Sequence, residues 1–163
     1  MTNLTSEDYR NIAHHTMNLY QIEMNDLPQH SKLVSNLLAP IKPRFQQKTR
    51  IFVENENLLQ RLKKISGAKT VGILNFASPI DIGGNFKQGI NAQEQTICRN
   101  SYLYPELCTF RREYYYYNQQ HENHGFYTRR MIVSYQVKFL RDETEKQYLK
   151  PARSVDVISM AAP

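Results

Sequence analysis

Thr70-Val71-Gly72-Ile73-Leu74-Asn75-Phe76 runs straight into Ala77-Ser78-Pro79-Ile80-Asp81-Ile82-Gly83-Gly84-Asn85-Phe86-Lys87-Gln88-Gly89-Ile90, and that junction decides the fold. The first stretch is an apolar run of strand length. The second is broken by Pro79, Gly83, Gly84 and Gly89 and reads as a loop. Ala92 to about Asn100 then returns to helical composition. Upstream, Arg50-Ile51-Phe52-Val53 reads as a short strand. A helix follows it, with Asn55 as cap and Leu58, Leu59, Leu62 and Ile65 as a buried stripe. Lys63 and Lys64 suit the negative end of its dipole, and Gly67 suits a positive-φ stop. Strand, helix and continuous apolar strand predict a βαβ unit in a parallel sheet buried on both faces.

Outward from this unit, Thr5 to about Gln21 reads as an amphipathic helix. Thr5 or Ser6 can cap it, with Thr5-x-x-Asp8 as a loose capping box. Tyr9, Ile12, Ala13, Met17 and Tyr20 make its apolar face. Asn25 to Pro43 is punctuated by Pro28, Pro40 and Pro43, and reads as loop, a helical turn near Ser31–Leu38, and loop. Residues 1–45 form a helical extension. On the far side, Tyr114 to Tyr117 precede a polar insert, Asn118 to Gly125. Met131, Val133, Tyr135, Val137 and Phe139 alternate with polar residues, which predicts a half-buried edge strand. Val155 to Met160 is the last strand. The whole is a single α/β domain over 1–163 with a mixed, partly parallel sheet.

Composition narrows the classes. The 163 residues carry 21 Lys+Arg against 15 Asp+Glu, a net charge of +6 that favours anionic partners. Hydrophobic content of 40% and charged content of 22% exclude wholesale disorder. No apolar run approaches the ~18 residues of a membrane span. The polar, acidic N-terminus lacks a secretory signal, so a cytoplasmic location is expected, with no membrane partner. Cys98 and Cys108 are too few for a disulfide framework and read as reduced thiols. His121-Glu122-Asn123-His124 lacks zinc-site spacing and reads as a solvated loop; neither metal nor cofactor is expected.

The loop carries the chemistry. In open α/β sheets, ligands sit beyond the carboxyl ends of strands. Glycines allow close backbone approach, and a helix start offers free N–H groups to an anion. The residues alone therefore point to a phosphate- or nucleotide-binding loop, or to a plain strand-to-helix connection. They match neither the Walker loop nor GxGxxG.

The same residues resemble the microbial-type poly(ADP-ribose) glycohydrolases, whose signature is three glycines, a spacer, then Gln-Glu-Glu. Here it stands as Gly83-Gly84-Asn85, seven residues, then Gln93-Glu94-Gln95. Leu74 to Ser78, Cys98 to Tyr104, Tyr127 to Ile132 and Val155 to Pro163 resemble further blocks of the family, in order. The resemblance implies a macrodomain-like three-layer α/β/α fold that binds ADP-ribose or poly(ADP-ribose) and cuts the ribose–ribose bond. It implies ligand contacts from Asn75, Ser78, Gly83, Gly84, Asn85 and Phe86. It also implies that Gln93 orients its neighbour, Glu94 contacts ribose, and position 95 is the acid/base.

Position 95 departs from the pattern. A carboxylic acid can protonate a leaving oxygen and later accept a proton from water; the carboxamide of Gln95 can do neither, and such help is typically worth ~10²–10⁴-fold. Activity is expected to be weak or lost unless Glu94 substitutes. Asn85 replaces the third glycine and tolerates positive φ, though its side chain crowds the ligand approach. Ile82 replaces a proline. The family's chain continues beyond the block matching Pro163, with a second phosphate loop and further core strands. The expectation is a fold incomplete at its C-terminus: a truncated form, a natural fragment or half of a split protein, completed by self-association or a partner chain. Such a fragment could instead serve a non-enzymatic interaction role. The tyrosine run near Arg111, Arg112, Arg129 and Arg130 reads either as a strand with tyrosines on both faces, or as a base-stacking surface. One tyrosine could instead stack on adenine. Nucleic acid is not the expected partner.

Overall fold

The computed structural model describes residues 4–28, 30–36, 48–65, 70–121 and 127–161. Helix α1 spans Ser6–Glu23 and starts with a complete capping box. Thr5 Oγ1 accepts from Asp8 N at 3.2 Å, and Asp8 Oδ2 accepts from Thr5 N at 2.8 Å. Its inner face buries Ala13 and packs Met17 on the core. It also buries Thr16, a polar residue outside the predicted stripe, whose hydroxyl donates to Arg99 O at 2.6 Å.

Strand β1 (His30–Val34) replaces the expected helical turn near Ser31–Leu38, of which residues 37 and 38 lie outside the described residues. It pairs antiparallel with β3 (Met131–Arg141). Ser31 Oγ donates to Ser134 Oγ on β3 at 2.8 Å, so a local helix signal yields to a cross-strand partner. Pro40 and Pro43 also lie outside the described residues. Arg50–Val53 is not a strand. Ile51, Phe52 and Val53 are 84%, 75% and 94% exposed and join no ladder. The predicted βαβ unit therefore does not form.

Helix α2 (Leu58–Lys64) buries Leu59 and Leu62. Its cap is Asn57 rather than Asn55: Asn57 Oδ1 accepts from Gln60 N while Gln60 Oε1 accepts from Asn57 N, both at 2.9 Å. Gly67 lies outside the described residues. Strand β2 (Gly72–Phe76) takes β4 (Tyr148–Met160) as its parallel neighbour, giving a mixed four-stranded sheet in the order β1-β3-β4-β2. It is not buried on both faces. Ile73 and Asn75 point inward, while Leu74 and Phe76 are 43% and 60% exposed.

Strand β3 lies between β1 and β4, so it is interior rather than an edge. Its predicted apolar face is also split. Gln136 takes φ +52°, and the register with β4 shifts between Ser134 and Val137. Before this bulge Ile132 and Ser134 are buried; after it Val137 and Phe139 are. The tyrosine run is helical. Arg111–Tyr116 forms a π-helical stretch and α5 (Tyr117–Gln120) continues it. The wide turns bury Tyr114 and Tyr115 side by side, ring centroids 4.9 Å apart, which removes both from any exposed stacking surface.

The core joins Ile73, Ile132, Val137 and Val157 of the sheet to Leu59 and Leu62 of α2, Ile97 of α3 (Gln93–Asn100) and Leu103 and Leu107 of α4 (Leu103–Cys108). This mixed α/β arrangement brings the carboxyl end of β2 against the start of α3.

Candidate functional site

The site forms where β2 ends. The backbone then enters a short 3-10 stretch, Ile82–Gln88, in which Gly83, Gly84 and Asn85 take φ of +65°, +55° and +59°. Three successive left-handed residues are affordable because two lack Cβ and the third is Asn. Gly84 has a second reason: a Cβ there would fall 2.2 Å from Gln95 Nε2 and 2.8 Å from Glu94 Oε2. The loop is thus pressed onto the first turn of α3. Ile82, in place of proline, packs against the core.

Three consecutive residues of α3 grip three different backbone segments. Gln93 Oε1 accepts from Phe76 N at 2.9 Å, and its Nε2 donates to Leu74 O at 2.7 Å. Glu94 Oε2 accepts from Ser78 N at 2.8 Å, and Asn75 Nδ2 approaches Oε1 at 3.4 Å. Gln95 Nε2 donates to Gly84 O at 2.6 Å. Ser78 Oγ accepts from Asp81 N at 2.9 Å and holds the loop entry.

Burial pushes the Glu94 carboxyl up to about 7. The Ser78 N–H and the Asn75 amide pull the other way, and the Asp81 charge adds to the rise. A carboxyl poised there exchanges protons near neutrality. Gln95, 9% exposed, presents an amide that always donates to Gly84 O. A carboxyl in its place would face that carbonyl and be held in its protonated form.

A cleft of about 510 Å³ opens at this point. Ser78, Gly84, Asn85, Gln93, Glu94 and Gln95 line it, as do Phe76, Ala77, Asp81, Ile90 and Ala92, which the sequence did not single out. They flank the motif on both sides, and that proximity was the only signal for them. Three of the residues expected to contact ligand do not line this cleft. Phe86 is fully buried with its ring 4.9 Å from Tyr104. Gly83 is buried too, and a Cβ there would meet Tyr104 and Cys98 at about 3 Å. Asn75 sits behind Glu94, fully buried, donating to Ser159 Oγ at 3.0 Å. Gln93 contacts β2 rather than the neighbouring carboxylate.

A buried ionic hub supports α3 from behind. Arg99 is fully buried and donates through Nε and Nη2 to Glu145 at 2.5 and 2.8 Å. The same guanidinium holds Ile90 O and Asn91 Oδ1, and Tyr9 covers its face at 4.1 Å. Nothing in the pattern around Glu145 announced this partner. Among the described residues no group of three or more His, Cys, Asp or Glu is placed to hold a metal ion. Nor is any described helix long and apolar enough to cross a membrane.

A mixed sheet flanked by helices, with a left-handed glycine loop beyond the carboxyl end of a strand, defines a macrodomain-like α/β protein. The chain belongs to the family of the microbial-type poly(ADP-ribose) glycohydrolase (PARG) catalytic domain, which matches residues 1–142. The poly(ADP-ribose) glycohydrolase from Thermomonospora curvata superposes with a TM-score of 0.78 at 25% identity, over 96% of this chain. The same enzyme bound to the inhibitor ADP-HPD gives 0.75 at 23% identity. The Deinococcus radiodurans enzyme in complex with ADP-ribose gives 0.53 at 36% identity over 58% of this chain. The chain spans 65% of the length of the first of these and 37% of the last. No curated protein sequence matches it.

Proposed function

We propose that this chain binds ADP-ribose, free or as a unit of poly(ADP-ribose), in the cleft beyond β2, and that its glycohydrolase activity is weak or lost. The observation that carries this reading is the bond from Gln95 Nε2 to Gly84 O. It seats a carboxamide against the glycine loop, which supports the reading that position 95, matched by resemblance to the acid of the family signature, has no acid to offer here. Glycoside cleavage needs a proton delivered to the leaving oxygen and a proton taken from water. Gln95 supplies neither. The loop shape is kept despite Asn85, because Asn85 holds the left-handed conformation of its two neighbours. Binding is therefore separable from turnover.

Glu94 supports a second reading. It lines the cleft, and burial holds it near neutrality, so it has the proton-exchange chemistry that Gln95 lacks. Its carboxylate is already tied to Ser78 N, which favours a ribose-contacting role over acid catalysis.

Calorimetry with ADP-ribose tests the binding. A folded protein with no heat at millimolar ligand overturns it. Release of ADP-ribose from the polymer separates the two readings: loss of all release in Glu94→Ala supports the second.

A further inference from the structure

A second cleft lies at the other end of β4. Strands β2 and β4 run parallel, so Phe76 and Met160 end together at the first cleft, whereas Tyr148 opens β4. There α1, the end of β3 and the turn that follows it border a cleft of about 320 Å³. Asn11 and His15 of α1, Arg141 of β3, Lys146 of the turn and Tyr148 line it. It shares no residue with the first cleft. Its volume is that of a site for a small organic ligand.

Arg141 is 3% exposed, and its guanidinium is only partly satisfied. Nη1 donates to Thr16 Oγ1 at 2.5 Å and to Arg99 O at 3.2 Å. Nη2 has no hydrogen-bond partner. Tyr148 stands beside it, ring centroid 5.3 Å from Cζ. The two acids of the lining are committed elsewhere. Glu145 gives both oxygens to Arg99 and Asn100, and Asp8 Oδ2 accepts from Thr5 N and Thr5 Oγ1. Burial works against the charge on Arg141, and Tyr148 and Glu145 offset it only in part. A buried cation without a paired anion is costly, and an anion in the cleft removes that cost.

The remaining polar groups are donors. Lys146 carries an exposed ammonium, Asn11 an amide, and the Tyr148 hydroxyl lies 3.5 Å from the His15 ring. They come from α1, the turn and β4, and so surround a ligand from several sides. A phosphate offers three tetrahedral acceptor oxygens to such a set; a carboxylate offers two in one plane. We propose that this cleft is a second anion site, in which Arg141 Nη2 and Lys146 bind a phosphate group, free or carried by a small organic molecule. The site is separate from the cleft beyond β2 and does not depend on what that cleft binds.

The experiment titrates the full chain with inorganic phosphate, glycerol phosphate and acetate, each at matched ionic strength, and follows the Arg141 guanidinium by nuclear magnetic resonance. That local signal separates this site from any phosphate held in the first cleft. The expected result is a saturable Arg141 shift with both phosphates. Arg141→Met weakens it roughly tenfold or more in calorimetry, and Lys146→Gln, an exposed change, roughly threefold. Should Arg141→Met fail to fold, Lys146→Gln with the Arg141 signal carries the test. Tighter binding of glycerol phosphate identifies an organic phosphate as the source, and tighter binding of the inorganic ion identifies free phosphate. An Arg141 signal that does not saturate, or that chloride moves equally, overturns the site. Acetate binding as tight as phosphate overturns the choice of ligand. Unchanged affinity in Lys146→Gln overturns the assigned contacts.

Discussion

Gly84 O lies 2.6 Å from Gln95 Nε2, and a Cβ on Gly84 would lie 2.2 Å from that same nitrogen. Loop and helix are thus in contact through a glycine that has no room for a side chain. Gly84→Ala adds that clash to a left-handed φ of +55°. The strain alone costs roughly 1–2 kcal/mol. The expected outcome is a lower thermal midpoint and an ADP-ribose affinity reduced at least tenfold in calorimetry. Asn85→Gly keeps the left-handed backbone and removes a side chain that lines the cleft, so stability is expected to stay within about 0.5 kcal/mol of the parent protein while ADP-ribose affinity is unchanged or higher.

Glu94 makes stability depend on pH with a definite sign. Its folded-state carboxyl is raised from 4.5 to about 7 by burial. The folded state therefore holds the proton more tightly than the unfolded one. The resulting stabilisation is fully present below the unfolded value and is lost as pH rises through about 7. The loss is on the order of 3 kcal/mol. Urea unfolding at pH 5 and pH 8 measures it, and Glu94→Gln is expected to remove this component of the drop. An equal drop in the variant contradicts the assignment.

The Arg99–Glu145 pair predicts a large structural effect away from the cleft. Arg99 is fully buried, and Glu145 supplies both of its carboxylate contacts. Glu145→Ala leaves a buried guanidinium unpaired, at a cost of about 3–5 kcal/mol. Thermal unfolding checks this. A change under about 1 kcal/mol means that the guanidinium is satisfied by Ile90, Asn91 and Thr96 alone.

What was legible in the sequence follows from how local each signal is. The Thr5–Asp8 box, the stripe of α1 and the strand-loop-helix around the glycines are set by neighbours in sequence, and each appears where its residues predict. The failures are tertiary. His30–Val34 becomes a strand because β3 offers it a partner, and Ile51–Val53 fails to become one because no described strand does. A bulge at Gln136 reverses the inward face of β3, which strict alternation cannot anticipate. The tyrosine run has strand composition but sits in a π-helix that buries two of its rings. Of the residues the motif singles out, Ser78, Gly84, Asn85, Gln93, Glu94 and Gln95 line the cleft, whereas Gly83 and Phe86 are packed in the interior and Asn75 lies behind Glu94. The partners of Gln93 and Glu94 are backbone groups, and backbone partners leave no trace in residue identity.

Release of ADP-ribose from poly(ADP-ribose), measured side by side for the parent chain and Gln95→Glu, tests the central claim most directly. A carboxyl at position 95 would face Gly84 O and be held protonated, ready to donate. With ADP-ribose bound by both proteins, the variant is expected to release product roughly 10²–10⁴-fold faster than the parent. Equal rates in the two proteins, with release abolished by Glu94→Ala, would contradict it.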